Sequence, residues 1–211
     1  MEQPIWEFAS LQELFTRKLK NGARPVCTGK ESVASPVDGI LCEFGEISGH
    51  FQLVVKGKEY SILDMLGNEE AIEKYREGKY IYFYLSPRHY HRIHSPFSGK
   101  IIRQWTLGNR SYPVNSLGLK FGKKTLSKNF RKITEVKHGN GTAAIVKIGA
   151  MYVNSIVLTH DKEDLQKGEE LAYFSFGSSV ILLFEKDTFC FDSSLAEMKE
   201  IKVGERIGFF I

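Results

Sequence analysis

Three of the six histidines fall within six residues, His89, His91 and His94, in the run Arg88-His89-Tyr90-His91-Arg92-Ile93-His94. Imidazolium charges repel, so clustered histidines point to a use for protonation or ligation. The H-x-H-x-x-H spacing allows neutral ring nitrogens to converge on a tetrahedral zinc ion. No C-x-x-C accompanies it, and acids are sparse nearby. A second group is Phe176-Gly177-Ser178-Ser179, just ahead of an apolar run at 180–184. Gly177 removes the side chain beside the peptide bond to Ser178, which opens that bond to strain and to close approach by a hydroxyl. A serine becomes a nucleophile when a base takes its proton and an acid orients the base. Asp38, His94 and Ser178 supply one of each. The G-x-S-x-G elbow of α/β-hydrolases is absent. Taken singly, each residue also has a plainer reading: Asp38-Gly39 makes a good turn, and Ser178 leads a loop into a strand.

The elements that would carry these groups are mostly strands. Segments 40–44, 51–55, 80–85, 101–107, 143–148, 152–158, 180–184 and 206–210 are rich in β-branched and aromatic residues and are bounded by Gly, Asn and Pro. Two helices stand apart. Ser10 and Glu13 form a capping box, and Leu11, Leu14, Phe15 and Leu19 then recur at helical spacing until Asn21-Gly22. Asn68 caps a second helix over 69–76, with Ile72 and Tyr75 on one face and Gly78 as the stop. The predicted class is α+β, predominantly β: a sandwich-like antiparallel core with an N-terminal helix and one short helical insertion. Ser35-Pro36-Val37-Asp38-Gly39 and Ser95-Pro96-Phe97-Ser98-Gly99 share S-P-x-x-G ahead of a strand. That echo hints at a pseudo-symmetric sandwich.

With 211 residues, 42% hydrophobic and 26% charged, the chain suits one globular domain spanning 1–211, which excludes a disordered or collagen-like chain. No apolar run approaches the roughly 18 residues of a membrane-spanning helix. The N-terminus lacks a secretory pattern. Cys27, Cys42 and Cys190 are odd in number and widely spaced, which predicts free core thiols rather than a disulfide framework. Segment 100–138 holds ten basic residues against Glu135, a local +9 that leaves −5 for the rest of a chain of net +4. Trp105, Tyr112, Phe121 and Phe130 interleave with these charges. Such a segment suits an anionic partner, a lipid surface included.

In order and spacing, a longer set of motifs resembles the bacterial phosphatidylserine decarboxylase proenzymes. It comprises Ser10-Leu11-Gln12-Glu13-Leu14-Phe15 with Arg17, Arg24-Pro25, the Ser35 turn, Val55-Lys56-Gly57 through Leu66-Gly67, and Leu85-Ser86-Pro87-Arg88-His89-Tyr90-His91-Arg92-Ile93-His94. Pro113-Val114-Asn115, segment 146–156, Lys167-Gly168-Glu169-Glu170 and Phe176-Gly177-Ser178-Ser179 complete it. The resemblance implies self-cleavage between Gly177 and Ser178 into a β chain, 1–177, and an α chain, 178–211. It implies Asp38 as the orienting acid, His94 as the base and Ser178 as the nucleophile. Ser178 is then converted to a covalent pyruvoyl cofactor, which forms a Schiff base with the amine of phosphatidylserine. His91 assists decarboxylation to phosphatidylethanolamine, and no metal or nucleic acid takes part.

The expected partners are phosphatidylserine, an anionic membrane surface, the two chains of one precursor and a second copy in a homodimer. The expected location is peripheral, on the cytoplasmic side of the cell membrane. His89 stands where the family often has Asp; Ser179 and Phe176 replace the usual Thr and Leu. The family generally carries a further N-terminal membrane-holding segment, so either the first helix anchors the protein or the sequence is a shortened version. Two alternatives from other classes are a zinc-dependent hydrolase on His89, His91 and His94, and a non-catalytic anion-binding module on segment 100–138.

Overall fold

The S-P-x-x-G echo extends through the whole architecture. The computed structural model describes residues 1–48, 52–55, 57–67, 69–139, 141–150, 156–175 and 177–211. In both turns the serine hydroxyl donates to the carbonyl two residues on, Ser35 to Val37 at 2.8 Å and Ser95 to Phe97 at 2.7 Å. The turns also clasp each other, with Ala34 N donating to Pro96 O and His94 N to Pro36 O, each at 2.8 Å. Each is closed by a Gly-Glu pair. Ser35 N donates to Glu205 O and Gly204 N to Ser35 O; Ser95 N donates to Glu169 O and Gly168 N to Ser95 O. Even Asp38 has a counterpart: its Oδ1 accepts Val203 N at 2.9 Å, as Ser98 Oγ accepts Lys167 N at 2.9 Å.

The strands follow the same doubling. In chain order they are β1 (Ser32–Ala34), β2 (Gly39–Glu46), β3 (Gln52–Val55), β4 (Lys58–Ser61), β5 (Lys79–Leu85), β6 (Arg92–His94), β7 (Gly99–Leu107) and β8 (Arg131–His138). Then come β9 (Gly141–Gly149), β10 (Ile156–Leu158), β11 (Asp164–Leu165), β12 (Glu170–Phe174), β13 (Ser178–Phe184), β14 (Phe189–Phe191), β15 (Lys199–Ile201) and β16 (Arg206–Phe210). The large sheet runs β11-β7-β8-β9-β13-β5-β2-β15, and two small sheets run β1-β16-β14 and β10-β12-β6. Exchanging β1, β2, β5, β13, β14, β15 and β16 for β6, β7, β8, β9, β10, β11 and β12 maps these pairings onto themselves. A pseudo-two-fold axis therefore passes between β9 and β13.

The second half is inserted into the first at a hairpin. Strands β8 and β9 close tightly, with His138 opposite Gly141. The matching strands β5 and β13, with Leu85 opposite Ser178, are joined instead through all of β6 to β12. Ser178 thus opens its strand where the chain returns from that insertion.

One face of the large sheet is covered by the β3-β4 hairpin and by α2 (Ile62–Leu66), α3 (Glu69–Lys74), α4 (Ser116–Phe121) and α5 (Thr125–Lys128). The small sheets cover the other face. All seven residues of β13 are buried between its neighbours. An apolar side chain buried in this way contributes about 1.5–3 kcal/mol.

Several expectations need correction. The N-terminal helix α1 (Leu11–Phe15) has its Ser10 cap, with Glu13 N donating to Ser10 Oγ, but ends well before Asn21. Arg92 takes the carbonyls of Thr16 and Arg17, while Arg17 donates to the carbonyls of Arg88 and His89. Those tertiary bonds replace the next helical turn. Helix α3 ends at Lys74, and Glu77, three residues on, takes a left-handed φ of 55°. Gly78 is needed for closeness instead, since a Cβ there would lie 2.0 Å from Phe184 O. Asn68, Phe51 and residues 152–155 lie outside the described residues. Short helices α2, α4 and α5 were not foreseen, and of the three free thiols only Cys42 is buried.

Gly78→Ala should therefore cost about 1–3 kcal/mol through overpacking against backbone. A lowered thermal or denaturant midpoint is the expected reading, and an unchanged midpoint would show that the contact yields freely.

Candidate active site

Register places the Gly177–Ser178 peptide bond. Ser178 lies between Leu85 of β5 and Gly149 of β9, and Phe174 N donates to His91 O at 3.0 Å. The end of β12 therefore lies beside the end of the loop 86–91, which joins β5 to β6. Ser178 is fully buried, and its Oγ has no hydrogen-bond partner among the described residues. A buried hydroxyl left unpaired costs about 1–3 kcal/mol, so this one is held ready rather than satisfied. The neighbouring Ser179 points to the opposite face of the sheet and bonds the Tyr82 hydroxyl at 3.1 Å. Phe176 lies outside the described residues. A Cβ on Gly177 would meet open space, so crowding does not dictate the glycine.

The loop 86–91 is shaped by its own residues. Ser86 N donates to His89 Nδ1 at 3.0 Å and His89 N to Ser86 O at 2.9 Å, which makes His89 a turn-closing residue. His91 is fully buried; its Nδ1 donates to His89 O at 2.9 Å, and Phe15 of α1 lies over its ring at 3.8 Å between centroids. Its Nε2 has no partner. Burial pushes the His91 imidazolium down to about 3, so the ring is neutral with a free lone pair. His94 places Nδ1 2.8 Å from Gly168 O and Nε2 3.2 Å from the Tyr90 hydroxyl.

Asp38 sits at the edge of the same region, gripped by Arg24 through Nε at 2.8 Å and through Nη2, and by Val203 N. The guanidinium of Arg24 is held above its ordinary value by that hydrogen-bonded carboxylate. The expected hydrogen bond from Asp38 to His94 is not among those of the described residues. The structure brings Asp38 to Arg24 and Val203, and His94 to Gly168 and Tyr90. Sequence reasoning missed Tyr90, Gly168 and the Arg24 clamp as members of the site. Arg24-Pro25, Tyr90 and Gly168 gave a signal only as parts of the quoted motifs.

A cavity of about 710 Å³ adjoins these groups. Leu11, Leu14 and Phe15 supply apolar wall, and Arg17, Arg24, Asp38, His89 and Tyr90 line its polar part. Such a space suits a ligand with an apolar body and a charged head.

The alternatives fare differently from this arrangement. The nitrogens of His89, His91 and His94 that have partners turn to separate protein atoms, and no metal-holding cluster occurs among the described residues. A three-histidine zinc site has no convergent donor set here. The +9 segment is partly spent inside the fold. Arg131 is buried on the carbonyls of Met65, Asp64 and Asn129, Lys100 pairs with Glu163, and Lys124 pairs with Asp64. Trp105 and Phe130 pack on the core, while Tyr112 and Phe121 are exposed.

Comparison with known proteins gives one answer. The family model described as phosphatidylserine decarboxylase matches residues 11–209. A phosphatidylserine decarboxylase proenzyme of Geobacillus sp. (strain WCH70) is 57% identical over 209 residues, covering 99% of this chain and 81% of the relative. Proteins of the same name from Anoxybacillus flavithermus and Bacillus cereus are 54% and 51% identical, each covered over 79% of its length by 99% and 98% of this chain. With its motifs in order along nearly the whole sequence, the chain belongs to the phosphatidylserine decarboxylase family.

Proposed function

We propose that the protein is a self-processing proenzyme that cleaves itself before Ser178 and then decarboxylates phosphatidylserine to phosphatidylethanolamine with a pyruvoyl group made from that serine. The observation that carries this reading is the buried Ser178 Oγ, unpartnered among the described residues, at the start of a central strand opposite Leu85, from which the chain leads through His91 to His94 on β6.

In the first step His94 Nε2 takes the Ser178 hydroxyl proton, and Oγ attacks the Gly177 carbonyl carbon. The C–N bond breaks, the Ser178 nitrogen receives the proton, and an ester joins Gly177 to the Ser178 side chain. Loss of the Ser178 α-proton then expels the Gly177 carboxylate from Cβ. The resulting enamine becomes an imine, takes up water and releases ammonia, leaving a keto group at residue 178. The unpaired Oγ among apolar walls fits a group made from the residue itself. When present, that ketone supplies an electrophile for the substrate amine and a sink for the electrons left by carbon dioxide.

The remaining residues position the lipid and move protons. Arg17 and Arg24 lie at the polar part of the cavity, suited to phosphate and carboxylate, and the α1 side chains suit acyl chains. His91 delivers a proton to the carbon that loses carbon dioxide. Its burial makes the neutral form the resting one, so the proton arrives with the anionic substrate. Asp38 acts as a positioning residue through Arg24 and Val203. The exposed Ile5 and Leu11 of the cavity wall, with exposed Trp6 next to Ile5 in the chain, suit contact with a lipid surface and support a peripheral place on a membrane; the cytoplasmic side is part of the same proposal.

Intact mass is the direct test: two pieces split before Ser178, with the keto group on the smaller, and an unsplit Ser178→Ala variant. A single full-length chain in an active preparation would refute the reading. His94→Ala should stay whole, whereas His91→Ala should mature yet lose about 10²–10⁴ in turnover; equal failure of both at cleavage would collapse that division of labour. Asp38→Ala should mature slowly, followed by the rate at which the full-length band disappears. Normal maturation would free Asp38 from any part in it.

A further inference from the structure

The pseudo-two-fold separates scaffold from chemistry, because features present in both halves belong to the fold. Gly168 and Gly204 match, and so do the serine turns. What differs near the cleavage site is His94 where the first half has Ala34, Tyr90 where it has Lys30, and Pro87 where it has Cys27. In the first half Cys27 N donates to Gly204 O at 2.8 Å. In the second half the matching carbonyl of Gly168 is taken by His94 Nδ1 at 2.8 Å. In the neutral ring that bond puts the proton on Nδ1 and the lone pair on Nε2. Tyr90 then donates its hydroxyl to Nε2 at 3.2 Å.

We propose that Tyr90 is a latch on the base nitrogen of His94, and that self-cleavage begins when the Tyr90 hydroxyl yields Nε2 to the Ser178 hydroxyl. This rests on the reading that His94 is the base for self-cleavage. Burial holds the Tyr90 phenol above its ordinary value, so it remains a donor. One hydrogen bond, Tyr90 O–H to Nε2, breaks; another, Ser178 O–H to Nε2, forms. The serine proton then passes to Nε2 while Tyr90 keeps its own. Because Ser178 Oγ has no partner in the uncleaved chain, the exchange also satisfies a buried hydroxyl that the latched state leaves unpaired. Tyr90 is thus a positioning residue for self-cleavage: it sets when the base is available and neither gives nor takes a proton in that step.

The test follows the full chain in cell-free synthesis, quenched at intervals and resolved into whole and cleaved protein. Tyr90→Phe should cleave about three- to tenfold faster, the scale of one net hydrogen bond. Replacing Tyr90 with 3-fluorotyrosine, a stronger donor of nearly the same shape, should cleave more slowly. Damage to packing alone predicts no acceleration. In the uncleavable Ser178→Ala background, the His94 Nε2 nitrogen resonance should move toward that of a free imidazole on Tyr90→Phe, while Nδ1 stays. A Tyr90→Phe chain that cleaves at the original rate or slower overturns the latch. So does fluorotyrosine without slowing, or an Nε2 signal that does not move, and the fluorotyrosine arm decides if the Phe variant fails to fold. His94→Ala run alongside separates the two claims: cleavage in that variant sinks His94 as base, whereas its loss together with an unaccelerated Tyr90→Phe sinks the latch alone.

Discussion

The structure turns on one unmet hydrogen bond. Ser178 begins a strand flanked on both sides, so its main chain is pinned by Leu85 and Gly149 while its hydroxyl faces an interior that offers it nothing. A surface serine would be satisfied by water, and an ordinary core serine by a neighbouring carbonyl, as Ser35 and Ser95 are. The cost is modest beside the burial of seven consecutive strand residues, so the fold tolerates it. A hydroxyl without a partner has no bond to break before it attacks.

The pseudo-two-fold accounts for where that serine stands. A tight hairpin between β8 and β9 needs only a short turn, whereas the same hairpin in the first half has been opened to admit the second. The opened ends have to find other neighbours. They find the loop 86–91, which returns alongside β12 through the bond from Phe174 N to His91 O. The insertion point therefore brings a strand start, a histidine-bearing loop and the α1 cavity together. Helix α1 gives up its later turns to the same loop, through Arg17 and Arg92, so the cavity wall and the histidines are fixed by shared hydrogen bonds.

Much of this was legible in the sequence, and the gaps have causes. The paired S-P-x-x-G turns disclosed the symmetry because Pro and Gly dictate backbone locally. Strand β8 was missed because it buries Arg131 and Glu135, whose charges read as solvated. Arg131 is paid for by three carbonyls and Glu135 by Tyr75, partners that are 60 or more residues away apart from Asn129. Gly78 was understood as a stop when it is a contact, since Phe184 lies 106 positions later in the chain. Residues 38, 91, 94 and 178 were marked by type and by family resemblance. Their wiring was not, because spacing along a chain does not reveal which distant carbonyl a ring nitrogen will meet.

The proposed cleavage before Ser178 would have a structural consequence of its own. The piece beginning at Ser178 contributes β13 at the centre of the large sheet, β15 at its edge, and β14 and β16 in a small sheet. It also supplies Val203 N to Asp38 and Glu200 to Arg88. Breaking the bond before Ser178 leaves every one of these contacts in place, so the pieces hold together without the covalent link. What the proposed cleavage would change is local: residue 177 would no longer be tied to the first residue of β13. A scissile bond at the edge of the fold would leave a frayed end. At the start of a strand held on both sides, the proposed chemistry would leave a terminus still flanked by Leu85 and Gly149.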